Sequence, residues 1–256
     1  MSNEVANFFW HGKFTRLEKA SVKSFINHGF DVNLWSFNGL KVEGARSRDA
    51  RDILPTEYLT KFKMVNIFRN RVFDNQSSFT AFSDLFRMKV LIPDGGWYFD
   101  CDSLCLKDQS VFYKLRLNKQ FVICDEYYNP GRENRIYNSA FYSSGLHAQN
   151  LYDRAIQICE EQDFLEWGDI GPKLFGDYVD QNDLRKYVLK PFVFHPIWHS
   201  ILDLLYDPQK VDIAMEKTKK SLISHVFNGD LSNRGIDKNN PPSGSYLEKM
   251  YAEIGV

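Results

Sequence analysis

A strand, a helix and a second strand follow one another near the start of the chain, and this order limits the fold more than any other feature. Val5 to Trp10 is extended in character and apolar at its end. Thr15, followed three residues later by Glu18, has the pattern of a capping box, and Leu17, Ala20, Phe25 and Ile26 then recur as a partly buried helix would require. Gly29 stops that run. Asp31 to Phe37, carrying Val32, Leu34 and Trp35, predicts a second strand turned by Asn38-Gly39. Such a βαβ unit places its strands parallel, so the expected class is α/β.

Further along, the pattern predicts a helix from about Ser78 to Pro93, broken by Asp94-Gly95-Gly96, and short buried strands at Trp97–Phe99 and Phe121–Cys124. His147 to Gln162 reads as a helix with Leu151, Ala155, Ile156 and Cys159 as its apolar stripe. The last third changes character. Pro191 to Ile201 is aromatic and proline-broken, Ser221 to Phe227 is strand-like, and Asn228 to Ser245 is rich in Asn, Gly, Pro and Ser, as a mobile loop would be.

Composition narrows the functions. The chain has 256 residues, 43% of them hydrophobic, enough to bury one sizeable core. Lys and Arg number 32 against 33 Asp and Glu, so the net charge of -1 provides no global field for a polyanion and nucleic acid is not the expected partner. Aromatic residues make up 15%, which suits ring-stacking sites as well as a bulky core. No segment reaches the roughly 18 to 20 apolar residues that span a bilayer. Met1 to Trp10 carries Glu4 and no basic flank, unlike a secretory signal. Cys101, Cys105, Cys124 and Cys159 show no C-x-x-C pairing and read as buried thiols of a reducing cytoplasm, not as zinc ligands.

Residues 82–102 carry the chemistry. Asp84 and Arg87 interrupt an apolar run at i and i+3 and so share a helix face. They are either a structural bridge or a charged pair facing a ligand. After Gly95-Gly96, the strand Trp97-Tyr98-Phe99 ends in Asp100-Cys101-Asp102. Residues two apart in extended chain point the same way, so both carboxylates face one side of the strand end. Oxygen ligands there suit Mg²⁺ or Mn²⁺ bridging a diphosphate, at the crevice that an open α/β sheet offers. A solvated acidic pair in a turn has the same spacing.

The block Ser83, Asp84, Arg87, Gly95, Gly96, Tyr98, Asp100, Asp102 resembles the nucleotide-sugar site of retaining A-fold glycosyltransferases, in the family named for its sugar-binding region containing a DxD motif. That family is related to α-1,6-mannosyltransferases, α-1,4-galactosyl- and N-acetylglucosaminyltransferases and the glucosylating domain of clostridial toxins. Phe9-Trp10-His11-Gly12, Val42 to Arg46, Ala50 to Pro55, Asn138 to His147, Gly171-Pro172 and Ser224-His225-Val226-Phe227 are similar to further segments of it. Two departures are Asp94 in the turn and the lack of a tryptophan after His225.

The resemblance implies a GT-A type fold in a single domain, with a Rossmann-like mixed central sheet flanked by helices. Residues 1–130 would be the nucleotide-sugar half, 131–227 the acceptor-side half, and 228–245 a lid offering Arg234 and Lys238 to phosphate. It implies Mn²⁺ or Mg²⁺ on Asp100, Asp102 and His225, with Asp84 and Arg87 positioning the sugar. Phe9, Trp10, His11, Tyr98 and Asn138 join the donor site, and Asp169 and Gly171 the acceptor side. The donor is a nucleoside-diphosphate sugar, UDP favoured over GDP, and the acceptor a glycan or lipid-linked glycan. The implied setting is surface polysaccharide synthesis by a bacterial-type enzyme in the cytoplasm, with peripheral membrane contact through Lys217, Lys219 and Lys220. The resemblance carries retention of configuration but nominates no nucleophile.

Taken residue by residue, Trp10 also fits plain core and His225 a satisfied buried histidine. His195-x-x-x-His199 has helical metal spacing that Pro196 spoils, and reads as structural or acceptor-side. Phe99-Asp-Cys-Asp-Ser-Leu104 also imitates the D-x-D-x-S nucleophile loop of haloacid-dehalogenase-like phosphatases, with Asp177 and Asp180 as their late acidic motif. A non-catalytic nucleotide-sugar or glycan-binding subunit is the alternative outside the enzymes.

Overall fold

The computed structural model describes residues 3–61, 64–66, 71–72, 79–126, 137, 140–166 and 168–256, with backbone alone for 64–66 and 71–72. Its first half runs β1 (Val5–Phe9), α1 (Arg16–Asn27), β2 (Asp31–Ser36), β3 (Ala45–Asp49), α2 (Tyr58–Lys61), β4 (Met64–Asn66), β5 (Arg71–Val72), α3 (Phe79–Lys89), β6 (Gly96–Phe99), β7 (Ser103–Cys105), α4 (Gln109–Arg116) and β8 (Phe121–Cys124). There follow β9 (Ala140–Ser143), α5 (Gly145–Glu161), β10 (Leu165–Glu166), α6 (Pro172–Gln181), β11 (Val188–Leu189), α7 (Asp203–Tyr206), α8 (Val211–Thr218), β12 (Ile223–His225), α9 (Asn228–Asn233) and α10 (Tyr246–Ile254).

Seven strands form the central sheet in the order β11-β8-β9-β6-β1-β2-β3. β1 is parallel to both β2 and β6, whereas β9 runs antiparallel to its neighbours β6 and β8, so the sheet is mixed. The opening βαβ unit forms as its pattern requires. At the start of α1 the Glu18 carboxylate accepts from the Thr15 backbone N–H at 2.6 Å and from the Thr15 hydroxyl, and Gly29 leaves the helix at φ +86°.

Alternation on the strands divides the core. Phe9, Tyr98, Phe121, Ile123 and Phe141 face α3, α5 and α6. Phe8, Leu34, Trp97, Phe99 and Val122 face Phe25 of α1 and Phe112 of α4. A third cluster joins Leu17, Ala20 and Leu104 to the C-terminal helices through Leu205, Ala214, Leu247 and Tyr251. All four cysteines are buried and unpaired.

Chain order explains where a crevice opens. After β3 the chain returns through α3 to β6 on the far side of β1, so the connections leave the carboxyl ends of β1 and β6 in opposite directions. The helix expected to reach Pro93 ends at Lys89 and continues as turns. The strand expected over Ser221–Phe227 is only the three-residue β12, which pairs with β7 outside the central sheet. The loop expected from Asn228 begins instead as α9, anchored by buried Leu231, because Phe227 takes a left-handed turn (φ +53°) that starts a helix there.

Gly95 shows why the break after α3 needs glycine. Its φ is +68°, and a β-carbon would lie 2.7 Å from the Ser143 carbonyl oxygen at the end of β9. Gly95→Ala should cost about 2 kcal/mol of stability in urea unfolding. An unchanged midpoint would show that the β6–β9 edge tolerates the displacement.

Candidate active site

The crevice at the carboxyl ends of β1 and β6 is a cleft of about 370 Å³. Phe9, Trp10 and His11 form one wall, α3 supplies Ser83, Asp84 and Arg87, and Asp100 and Asp102 close the far side. Helical spacing on α3 turns Asp84 and Arg87 to one face, where both are buried. Arg87 lies 3.2 Å from Asp84 and 3.2 Å from Asp100, so one guanidinium joins the helix to the end of β6. It also donates to the Ser83 carbonyl and hydroxyl, each at 3.3 Å, and sits 5.1 Å above the Tyr98 ring. The pair is thus both the bridge and a charged face of the cleft.

Asp102 and His225 are brought together by a two-stranded sheet. Asp102 precedes β7, and His225 lies opposite Ser103 in the antiparallel β7–β12 pair. The Val226 N–H donates to the Asp102 carbonyl at 2.9 Å. His225 Nε2 lies 3.1 Å from the Asp102 carboxylate, whose other oxygen accepts from the Asn228 N–H at 2.8 Å. Asp100, Asp102 and His225 each offer one ligand atom, all within 4.8 Å of one another. Two hard carboxylate oxygens and one imidazole are a donor set that fits a divalent cation.

The charges are tuned by their surroundings. Burial, with Asp102 beside it, pushes Asp100 up to about 6 against the pull of Arg87. Asp102 is partly withdrawn from water too, yet His225 and the Asn228 N–H hold it below the usual carboxylate range. Burial opposes charge on His225, but the Asp102 carboxylate outweighs it and raises the imidazole to about 9.

The other expected site residues have varied placements. His11 stacks on Phe79 with ring centres 3.9 Å apart, and the Trp10 indole donates to the Lys13 carbonyl at 3.3 Å. Tyr98 lies fully buried beneath Arg87, its hydroxyl 3.3 Å from Ser83. Asn138 lies outside the described residues. Gly171 abuts the cleft, since a β-carbon there would come within 2.8 Å of the Asp84 carboxylate. The buried Asp169 carboxylate accepts from the Glu166 N–H at 2.7 Å and from Lys173 at 3.3 Å, within its own turn. Arg234 donates to the His199 carbonyl at 2.9 Å, and Lys238 binds the Asn228 and Ser232 side chains.

Two site residues escaped sequence reasoning. Phe79 was hidden because a ring at a helix start carries no signal of its own. Glu126, just past β8, interacts with His225, Asp100 and Arg87, and burial pushes it up to about 7. Its signal was present in the apolar run Phe121–Cys124 ending in Asp125-Glu126, the same strand-then-carboxylate pattern as at Asp100. The acidic motif expected for a phosphatase is not assembled. Asp180 on α6 pairs with Arg185 at 2.6 Å, and among the described residues the metal-capable cluster is Asp100, Asp102 and His225.

Comparison with known proteins bears on the fold and on part of the sequence. Residues 18–121 match the family model described as glycosyltransferase sugar-binding region containing DXD motif. That match is a similarity over about two fifths of the chain, and the chain has the GT-A fold. The apo-form glycosyltransferase GlyE of Streptococcus pneumoniae TIGR4 superposes with a TM-score of 0.51 at 11% identity, over 100% of this chain and 61% of GlyE. The chain therefore spans about three fifths of that protein. The galactosyltransferase LgtC, with donor and acceptor sugar analogues bound, gives a TM-score of 0.47 at 10% identity over 98% of this chain and 95% of its own. No curated protein sequence matches the chain.

Arg87→Ala would leave Asp84 and Asp100 without their shared counter-ion. Thermal and urea unfolding should show a loss of about 3 kcal/mol or more. Parent-like stability in that variant would mean the carboxylates do not depend on the guanidinium.

Proposed function

We propose that the protein is a metal-dependent retaining glycosyltransferase, moving a hexose or N-acetylhexosamine from a nucleoside-diphosphate sugar to a glycan or lipid-linked glycan acceptor. UDP is the favoured nucleotide, and surface polysaccharide synthesis (capsule, O-antigen or lipo-oligosaccharide) the favoured setting. The observation that carries this reading is the meeting of two assemblies in one cleft, the Asp84–Arg87–Asp100 chain and the Asp100–Asp102–His225 cluster.

In this reading Phe9, Trp10 and His11 receive the nucleobase at the end of β1. Asp100, Asp102 and His225 would hold Mn²⁺ or Mg²⁺, the imidazole favouring Mn²⁺. The ion would supply positive charge to the departing diphosphate. Asp84 and Arg87 would hydrogen-bond the sugar hydroxyls and hold the anomeric carbon toward the acceptor, a gain that comes from orientation. Gly171 would keep the acceptor side open next to Asp84, since any side chain there meets that carboxylate.

The test is release of nucleoside diphosphate across UDP- and GDP-sugars, with Mn²⁺ or with chelator. One donor should be cleaved in a metal-dependent manner, and Asp102→Ala should lower the rate about 100-fold or more. Metal-independent cleavage, or full activity in that variant, would overturn the metal assignment. Release of phosphate from monoesters would favour the phosphatase instead.

Proton linkage offers a second check. A ligand imidazole must be neutral, whereas His225 keeps its proton up to about 9 in the metal-free protein. Mn²⁺ binding near neutral pH should therefore release about one proton, and affinity should rise with pH up to about 9. Calorimetry in buffers of different ionisation enthalpy measures this directly. Binding without proton release would remove His225 from the ligand set.

A further inference from the structure

Beside the cleft, the turns after β11 and the flank of α8 enclose a groove of about 420 Å³ lined by Lys190, Pro191, Phe192, Pro196, Trp198 and Lys217. The groove joins apolar rings to ammonium groups. Phe192 is 50% exposed, and Ile213, four residues before Lys217 on the same face of α8, is 53% exposed. Lys220 follows in the next turn, which is tied to this surface by the Ser221 hydroxyl donating to the Phe192 carbonyl at 2.6 Å. Lys219 is drawn aside to Glu216 at 3.3 Å. Among the described residues, Lys190, Lys217 and Lys220 are exposed with no acidic side chain in an ion pair with them.

This combination is poorly suited to an ordinary protein partner, for which lysine-rich edges are unfavourable. It matches a bilayer interface. Aromatic rings settle at headgroup depth, lysine stems lie along apolar surface, and ammonium groups reach lipid phosphates. The chain's net charge of -1 makes the positive patch a local feature, so it is complementary to an anionic surface in particular. No helix among the described residues is long and apolar enough to cross a membrane.

We propose that this groove seats the protein on an anionic membrane surface, with Phe192, Trp198 and Ile213 entering the headgroup boundary and Lys190, Lys217 and Lys220 meeting lipid phosphates. His195 also lines the groove, and its ring lies 5.3 Å from that of His225. Resting on the transfer reaction proposed above, this adjacency brings a membrane-borne acceptor to the metal side of the cleft.

The experiment is co-sedimentation of the full chain with phosphatidylcholine vesicles, with and without about one third phosphatidylglycerol. Binding should require the anionic lipid and weaken with salt. Lys190→Glu, Lys217→Glu and Lys220→Glu together should reduce it about tenfold or more. Trp198→Phe should remove most of the vesicle-induced blue shift in tryptophan emission. No binding to anionic vesicles, equal binding to both kinds, or unchanged binding by the triple variant would each overturn the proposal. Donor cleavage in solution, which none of these residues touches, should stay at the parent level, so failure here is distinguishable from failure of the transferase reading.

Discussion

One guanidinium holds a buried carboxylate, Asp84, and a partly buried one, Asp100, in place, and the cleft depends on it. Arg87 is nearly inaccessible, as is Asp84, and neither charge could stay inside an apolar layer alone. By pairing with Asp84 on its own helix and Asp100 at the end of β6, Arg87 fixes the distance between α3 and the sheet edge. Tyr98 and Ser83 complete the support from below. Such a network rarely adds net stability over a packed apolar equivalent. In the proposed transferase its value lies in presenting polar groups to the donor from a rigid base.

The second assembly is built differently. Asp102 and His225 are far apart in sequence, and only the short β7–β12 pair sets them side by side. That pair lies outside the central sheet and rests on the C-terminal helices through Leu104 and Val226. The last third of the chain therefore belongs to the site even though it adds nothing to the central sheet. Phe227, held in a left-handed conformation between His225 and α9, packs its ring 4.3 Å from the His225 ring. Backbone strain next to functional groups is a common arrangement, because the neighbouring structure over-determines it.

Much of this was legible in the residues. The capping box, the Gly29 stop and the alternation of β2 made the βαβ unit plain, since each is a short-range effect. Gly95-Gly96 marked the break after the helix, and the carboxylates at the end of β6 marked a crevice. The weak parts were where local pattern and tertiary context diverge. β3 (Ala45–Asp49) is an edge strand made largely of charged residues, without the apolar alternation that identifies a strand. Asn228–Ser245 has the composition of a loop, yet Leu231 and the contacts of Lys238 order its first part as helix and packed turn. Asp169 read as a ligand contact, and its carboxylate is bonded within its own turn, a local pairing that composition does not show.

By itself, the sequence determined the fold class, the strand end that carries Asp100 and Asp102, and the shared face of Asp84 and Arg87. These follow from periodicities of two and 3.6 residues, which are properties of the backbone. Tertiary structure alone decided that Arg87 reaches Asp100, that His225 lies against Asp102, and that Phe192 and Lys217 share a groove. Each is a contact across many residues of chain, set by how strands order themselves in the sheet and how the C-terminal helices pack beside it. No local rule encodes that arrangement, because the burial that selects it belongs to the whole core.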